Sequence, residues 1–170
     1  MATCLVRSID DFVGAWQMES AFTQKVFDAL TDAALAQKVT PEGRSLGFIA
    51  WHLVQTIPEM LGQAGIPATG PGEHEPQPKS ARAIADAYRK AAASVGPALK
   101  KAWADAELDG MIPMYGQQWP RGGTLLGFMM HQAHHRGQMT VLMRQAGLKV
   151  PGTYGPAQEE WAAMGMQPQP

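Results

Sequence analysis

The chain has 170 residues, of which 45% are hydrophobic and 17% charged, with a formal net charge of −1. A chain this rich in apolar residues is expected to fold, which excludes a disordered protein. The balanced charge carries no clustered basic face, so the composition also argues against a nucleic-acid partner.

The length fits one domain over 1–170, with a core at about 8–150 and a Pro/Gly-rich tail at 151–170. The longest apolar run, 46–54, is about half of the roughly 20 residues that a membrane span needs. The lone Cys4 cannot form an internal disulfide, and the first twenty residues hold three acidic side chains and no apolar signal core. We therefore expect a cytoplasmic protein without a membrane partner.

Apolar residues at helical spacing predict two helices in the first part of the chain. The first covers 9–35 with Ser8 as its N-cap, and the second covers 45–63 with Ser45 as its N-cap. Pro58 lies inside the second pattern, where a proline removes a backbone hydrogen bond, so a kink or an early end is expected there.

The third predicted helix covers 80–106 and is rich in good helix formers. Gly96 and Pro97 predict a bend or an interruption in it. Pro/Gly-rich loops are predicted on either side, at 65–79 and at 109–123.

The fourth predicted helix runs from Thr124, its expected N-cap, to Gln145, with Gly147 as the expected C-cap. A short helix is expected in the tail at 158–164. No segment shows a period-2 strand pattern. Four amphipathic helices without strands predict an all-α four-helix bundle.

Three of the five histidines fall within the fourth predicted helix, His131, His134 and His135. Because an α-helix has 3.6 residues per turn, His131 and His135 share a face and can aim imidazole nitrogens at one metal ion. His52, on the apolar stripe of the second helix, is the candidate third ligand. Three neutral imidazoles leave coordination positions open, which is typical of catalytic metal sites.

Other residues lie near this face of the predicted helix. Gly127, one turn before His131, leaves room for a substrate. His134 and Gln138 are candidates for contact with the substrate or with the ligands, whereas His74 lies in an acidic surface loop with no expected role. The alternative is that the imidazoles are packed side chains hydrogen-bonded within the bundle, because an i, i+4 histidine pair alone is weak evidence.

The string HQAHHRGQ at 131–138 resembles the H-x-x-x-H-R-G-Q signature of the DinB/YfiT-like superfamily. The string RSLGFIAWHL at 44–53 resembles the second hallmark of that superfamily, and the spacing of about 80 residues between the strings also fits. The resemblance implies a four-helix bundle in which His52, His131 and His135 bind one divalent metal, commonly zinc or nickel.

The resemblance also implies a reaction class, because several superfamily members use low-molecular-weight thiols. They include S-transferases dependent on bacillithiol or mycothiol and an isomerase of maleylpyruvate. The first hypothesis is therefore a metal-dependent thiol S-transferase acting on a small-molecule substrate. Tyr115, Gln118, Trp119 and Arg121, in the loop before the fourth helix, are the candidate substrate contacts.

Two alternatives remain open at this point. A metal-dependent hydrolase would need a general base, and spacing alone does not decide whether Glu59 can serve. A metal-stabilised stress-response binding module would need no catalysis. A homodimer is compatible with the apolar content of the chain.

Overall fold

The fold is described by a computed structural model for residues 6–167 and contains four α-helices. These are α1 (Ile9–Asp28), α2 (Leu46–Gln63), α3 (Ala81–Ala102) and α4 (Arg121–Gln145). Helices α1 and α2 each pack against both α3 and α4, so the four form a closed bundle around one apolar core. The predicted all-α four-helix bundle is confirmed. Cys4 lies outside the described residues.

The predicted helix starts at Ser8 and Ser45 are confirmed by side-chain capping. The Ser8 hydroxyl accepts a hydrogen bond from the Asp11 amide, and the Ser45 hydroxyl accepts one from the Phe48 amide. Each serine thereby satisfies a backbone N–H that the first turn leaves without a partner. The Ser45 cap fixes where α2 begins and therefore which face of α2 carries His52.

Helix α1 ends at Asp28, seven residues before the predicted end at position 35. The following residues form a short 3₁₀ helix, Asp32–Ala36, which buries Leu35 by a separate turn. The Asp32 carboxylate accepts a hydrogen bond of 2.7 Å from the Ala81 amide at the start of α3. The apolar spacing continues to Leu35, but the α-helix ends at Asp28 and the 3₁₀ turn buries Ala34 and Leu35.

Prolines inside α2 and α3 do not interrupt either helix. Pro58 and Pro97 both lie within continuous helical segments, so the early end expected in α2 and the interruption expected in α3 are not observed. An internal proline costs about 3 kcal/mol in an isolated helix. Burial of neighbouring apolar residues such as Ile57 and Leu99 offsets that cost here.

The predicted loop at 109–123 contains a β-hairpin, which corrects the expectation of no strands. Strand β1 (Met111–Met114) pairs antiparallel with β2 (Gln117–Pro120) through a turn at Tyr115 and Gly116. Both turn residues have positive φ, 50° and 77°, as type I′ hairpin turns require. Alternate residues of β1 are buried, but all four are apolar, so the alternation is invisible in the sequence.

Helix α4 begins at Arg121, three residues before the predicted start. Thr124 is not its N-cap, because the Thr124 hydroxyl donates to the Pro120 carbonyl one turn back. The predicted end is confirmed: Gly147 has φ 75°, and the Leu148 amide donates across it to the Met143 carbonyl.

The tail folds back on the bundle. The short helix expected at 158–164 is present as two 3₁₀ helices, Gln158–Glu160 and Ala162–Met164. Arg144 of α4 pairs with Glu159 at 3.0 Å. Among the helices of residues 6–167, none combines the length and apolar character needed to cross a membrane.

Candidate metal centre

Helices α2 and α4 bring three histidines together from distant parts of the chain. The ring centroids of His131 and His135 lie 4.5 Å apart. The ring centroid of His52 lies 5.2 Å from that of His131 and 4.8 Å from that of His135. The rings are inclined to one another by 63–86°. One nitrogen from each ring can be chosen so that all three lie within 4.8 Å of one another. The three predicted ligands therefore converge on one point.

The distances within the cluster fit a metal ion. The Nε2 atoms of His52 and His131 are 3.3 Å apart. Two zinc–nitrogen bonds of about 2.0–2.1 Å at a tetrahedral angle would separate their nitrogens by about 3.3 Å. His131 Nδ1 is buried and has no hydrogen-bond partner among residues 6–167. A metal bound through the two Nε2 atoms would use their lone pairs and would not involve His131 Nδ1.

The environment keeps the three imidazoles neutral. Burial lowers the pKa of His52 and of His131 to about 4, with the neighbouring imidazoles acting in the same direction. Burial also lowers the pKa of His135, although its hydrogen bond to Gln138 opposes the shift. Neutral imidazoles have the lone pairs that metal coordination requires.

Gln138 orients His135 and also contacts His134. The Gln138 Oε1 atom lies 2.7 Å from His135 Nδ1, and the Gln138 Nε2 atom lies 3.1 Å from His134 Nε2. An amide oxygen only accepts hydrogen bonds, so His135 Nδ1 carries the proton and its Nε2 lone pair is free. The structure thus places both predicted neighbours beside the cluster, with Gln138 bonded to a candidate ligand and His134 bonded to Gln138.

Gln132, which sequence reasoning missed, holds the two ligand-bearing helices in register. It is fully buried on α4, and its amide nitrogen donates to the Leu53 carbonyl on α2 at 3.0 Å. Gln132 follows His131 in the sequence and Leu53 follows His52. This one contact therefore fixes the relative position of two candidate ligands on different helices.

Arg136, next to His135, was also missed and anchors α4 to α1. Its guanidinium is 2.9 Å from the Glu19 carboxylate and donates to the Thr23 hydroxyl at 3.0 Å. The Tyr154 hydroxyl of the tail donates to the same carboxylate at 2.8 Å and also contacts Arg136. Gln132 and Arg136 repeat the i, i+4 spacing of the histidines one position later, which is the signal that could have revealed them.

The β-hairpin packs beside α4 at the turn that precedes His131. A Cβ atom at Gly127 would be 3.4 Å from the Trp119 ring, so that indole fills the space that was expected to admit a substrate. The Tyr115 hydroxyl donates to Glu59 of α2 at 3.1 Å. Arg121 contacts other partners: its guanidinium is 3.9 Å from the Glu107 carboxylate and lies over the Trp103 ring at 5.4 Å.

Two further polar residues singled out in the sequence are exposed. Gln118 is an exposed residue of β2, and His74 is exposed in the loop between α2 and α3. Neither belongs to the histidine group. Arg44 is the first residue of the string at 44–53, and the sequence assigned it no role. It lines a cavity of about 500 Å³ together with His135 and Gln138.

The profile of the DinB family matches residues 5–169. The chain belongs to the DinB family. YrdA of Bacillus subtilis, described as an uncharacterized protein, is 45% identical over 163 residues, which are 96% of this chain and 98% of YrdA. The expected superfamily resemblance is thereby confirmed.

Solved structures of DinB-like proteins share the fold. The crystal structure of a DinB-like protein from Bacillus cereus is 43% identical with a TM-score of 0.82, covering 87% of this chain and 99% of the other. A second DinB-like protein, YjoA of Bacillus subtilis, is 16% identical with a TM-score of 0.63, covering 86% of this chain and 96% of YjoA. At that identity, YjoA supports the DinB fold alone.

Proposed function

We propose that this DinB-family chain is a divalent-metal-dependent thiol S-transferase, which joins a low-molecular-weight thiol through its sulfur to an electrophilic small molecule. The observation that carries the proposal is the convergence of three neutral imidazoles, His52, His131 and His135, beside a cavity. Structural metal sites usually close their coordination with four protein ligands. Three ligands beside a cavity favour a site at which small molecules bind.

The donor set suits zinc or nickel. Imidazole is a good ligand for zinc, nickel, copper and iron, and geometry and availability decide among them. A bound divalent ion lowers the pKa of a coordinated thiol, so that the thiolate nucleophile is available at neutral pH. In the transfer, a carbon–sulfur bond forms, the leaving group departs with its electron pair, and the thiol proton passes to solvent.

The protein holds the ligands ready for this role. Gln138 fixes the tautomer of His135, and Gln132 fixes the position of α4 relative to α2. Partners of this kind contribute about 10–100-fold to metal affinity or activity. Apolar side chains of the adjoining cavity, Ile49 and Leu142 among them, would keep bulk water from the thiol and its electrophile.

Hydrolysis is the less favoured alternative, because it needs a general base close to the metal. No carboxylate of the described chain joins the group of three imidazoles. Glu59, the base considered from sequence, is seven residues beyond His52, a helix rise of about 10 Å. Its carboxylate is already engaged by Tyr115 and by Gln63.

The first experiment tests the metal. Untagged protein, reconstituted with zinc or nickel and desalted, is compared with His131→Ala by elemental analysis. About one metal ion per chain in the wild type, lost in the variant, is expected from a three-ligand site. Wild-type protein that binds neither metal would contradict the proposal at its first step.

The second experiment tests the reaction. Metal-loaded protein is incubated with monochlorobimane and, separately, with bacillithiol, mycothiol, cysteine or coenzyme A. Thioether formation above the uncatalysed rate is followed by fluorescence, and the metal-free protein and His131→Ala are the controls. Metal binding without thioether formation from any of these thiols would reject the transferase and leave the binding module.

A further inference from the structure

The cavity of about 500 Å³ beside His135 lies at the end of the histidine cluster away from the hairpin. Trp119 fills the space beside Gly127, one turn before His131 on α4. The α4 residues that line the cavity are His135 and residues after it, and the rest of the lining comes from 39–49. Its walls are largely apolar, and Val141 on its rim is 53% exposed. A small molecule can therefore reach the candidate metal centre from this side.

One cation, Arg44, lines this apolar cavity. Its guanidinium lies 5.1 Å from the centre of the Phe48 ring, and Phe48 is stacked alongside His52 at 6.4 Å with an angle of 11° between the rings. The stack places the Arg44 guanidinium on the same side of α2 as His52, the candidate metal ligand.

Arg44 has no ion pair within residues 6–167, and neither has Arg7 at the start of that range, whereas five other arginines are paired with carboxylates. The paired arginines are Arg82, Arg89, Arg121, Arg136 and Arg144. A larger groove of about 790 Å³ between α1 and α3 is also lined by cations, but these are paired. Its cations Arg89 and Lys100 are neutralised by Asp28 and Asp10.

We infer that this cavity binds the carboxylate-bearing part of the substrate, with Arg44 holding the carboxylate and the apolar walls holding a flat or aliphatic body. The substrate class is thus an amphipathic organic acid, oriented with its reactive carbon toward the three histidines. The inference rests on the proposed function for its account of the reaction. Binding of an acid to the cavity can nevertheless be measured without any turnover.

The test uses a matched inert pair, para-toluate and its uncharged amide, para-toluamide. Calorimetry measures the affinity of each for wild type, Arg44→Gln and Arg82→Gln, in metal-loaded and metal-free protein. Arg82 is the matched control because its side chain is 91% exposed on α3, away from the cavity. We expect wild type and Arg82→Gln to bind the acid about tenfold more tightly than the amide, or about 1.4 kcal/mol.

In Arg44→Gln, the preference for the acid is expected to disappear. Val141→Trp, which fills the cavity, should weaken both ligands about tenfold. Equal binding of acid and amide by wild type, or a preference that survives in Arg44→Gln because the acid contacts only the metal, would overturn the inference. Either result would leave the metal content and the thiol assay, which test the proposed function, unaffected.

A reactive pair extends the test to turnover. With para-bromomethylbenzoate and its amide, the thiolate forms the carbon–sulfur bond and bromide leaves with its electron pair. Arg44→Gln is expected to raise KM about tenfold for the acid alone, with kcat little changed, because Arg44 binds the substrate away from the reacting carbon. A fall in kcat for both electrophiles would argue against this role.

Discussion

Helix α4 carries two polar stripes side by side, and their side chains differ in the partners they find. Gln132 and Arg136 point into the protein, where a backbone carbonyl and a carboxylate accept their hydrogen bonds. His131 and His135 lie one position earlier, and their nitrogens face the imidazole of His52. His131 Nδ1 has no partner within residues 6–167.

The difference separates structural from functional polar residues on one helix. Gln132 and Arg136 both bond to neighbouring helices, although Gln132 Oε1 is buried without a partner within residues 6–167. Contacts that join helices in this way need no explanation beyond stability. A stripe whose nitrogens face one another, kept neutral by burial, is explained by something the protein binds. The following predictions test whether the first stripe serves stability and the second serves binding.

The largest effect is expected from Arg136→Met. The variant leaves the Glu19 carboxylate buried without its counter-ion, and breaking a buried pair costs about 3–5 kcal/mol. Urea denaturation of metal-free protein measures the loss. The control is the double variant Glu19→Gln/Arg136→Met, which removes both charges and should recover more than half of it. A loss below about 1 kcal/mol for the single variant would contradict the structural role.

The next effect concerns Gln138→Leu, which removes the acceptor that fixes the His135 tautomer. Metal affinity should fall about 10–100-fold, as for other residues that orient a ligand. Competition with a chromophoric chelator measures the affinity. Gln145→Leu, at the far end of α4, is the matched control and should bind metal as wild type does. Unchanged affinity in Gln138→Leu would mean that another contact orients His135.

A third prediction concerns pH. In metal-free protein, His52 and His131 have pKa values of about 4, below their ordinary value of 6.5. Above pH 6.5, both folded and unfolded chains keep these imidazoles neutral. Between about pH 6.5 and 4 the unfolded chain binds protons that the folded chain does not, so the free energy of unfolding falls as pH falls.

The pH effect is measured by urea denaturation at pH 7, 6 and 5 with a chelator present. Carboxylates also titrate in this range, so wild type is compared with His131→Leu at each pH. The variant should lose less stability on acidification than wild type does. Parallel curves for the two proteins would show that His131 takes no part in the pH dependence.

The smallest effect is expected for His131→Leu in metal-free protein at pH 7. His131 has little hydrogen bonding to lose, and a leucine of similar volume fills the same space, so stability should change by less than about 1 kcal/mol. The same denaturation measurement detects it. A loss comparable to that of Arg136→Met would mean that the histidine stripe is structural, which would erase the contrast between the stripes.

Most of the bundle could be predicted because its signals are local. Ser8 and Ser45 sit directly before apolar periodic segments, and capping acts within three residues. His131 and His135 had to share a face because one helical turn separates them. The superfamily resemblance added His52, which the apolar stripe of α2 also suggested. The sequence alone therefore determined the helices, their order and the candidate ligand set.

What only the tertiary structure decided depends on partners far apart in the chain. Gln132 bonds to a backbone carbonyl 79 residues away, and Arg136 bonds to both the carbonyl and the carboxylate of a residue 117 positions away. No local pattern specifies these pairings. The hairpin was hidden because the strand Met111–Met114 is apolar on both faces. The unpaired charge of Arg44 became meaningful only once α4 packed beside α2, because a cavity exists only between elements that have already come together.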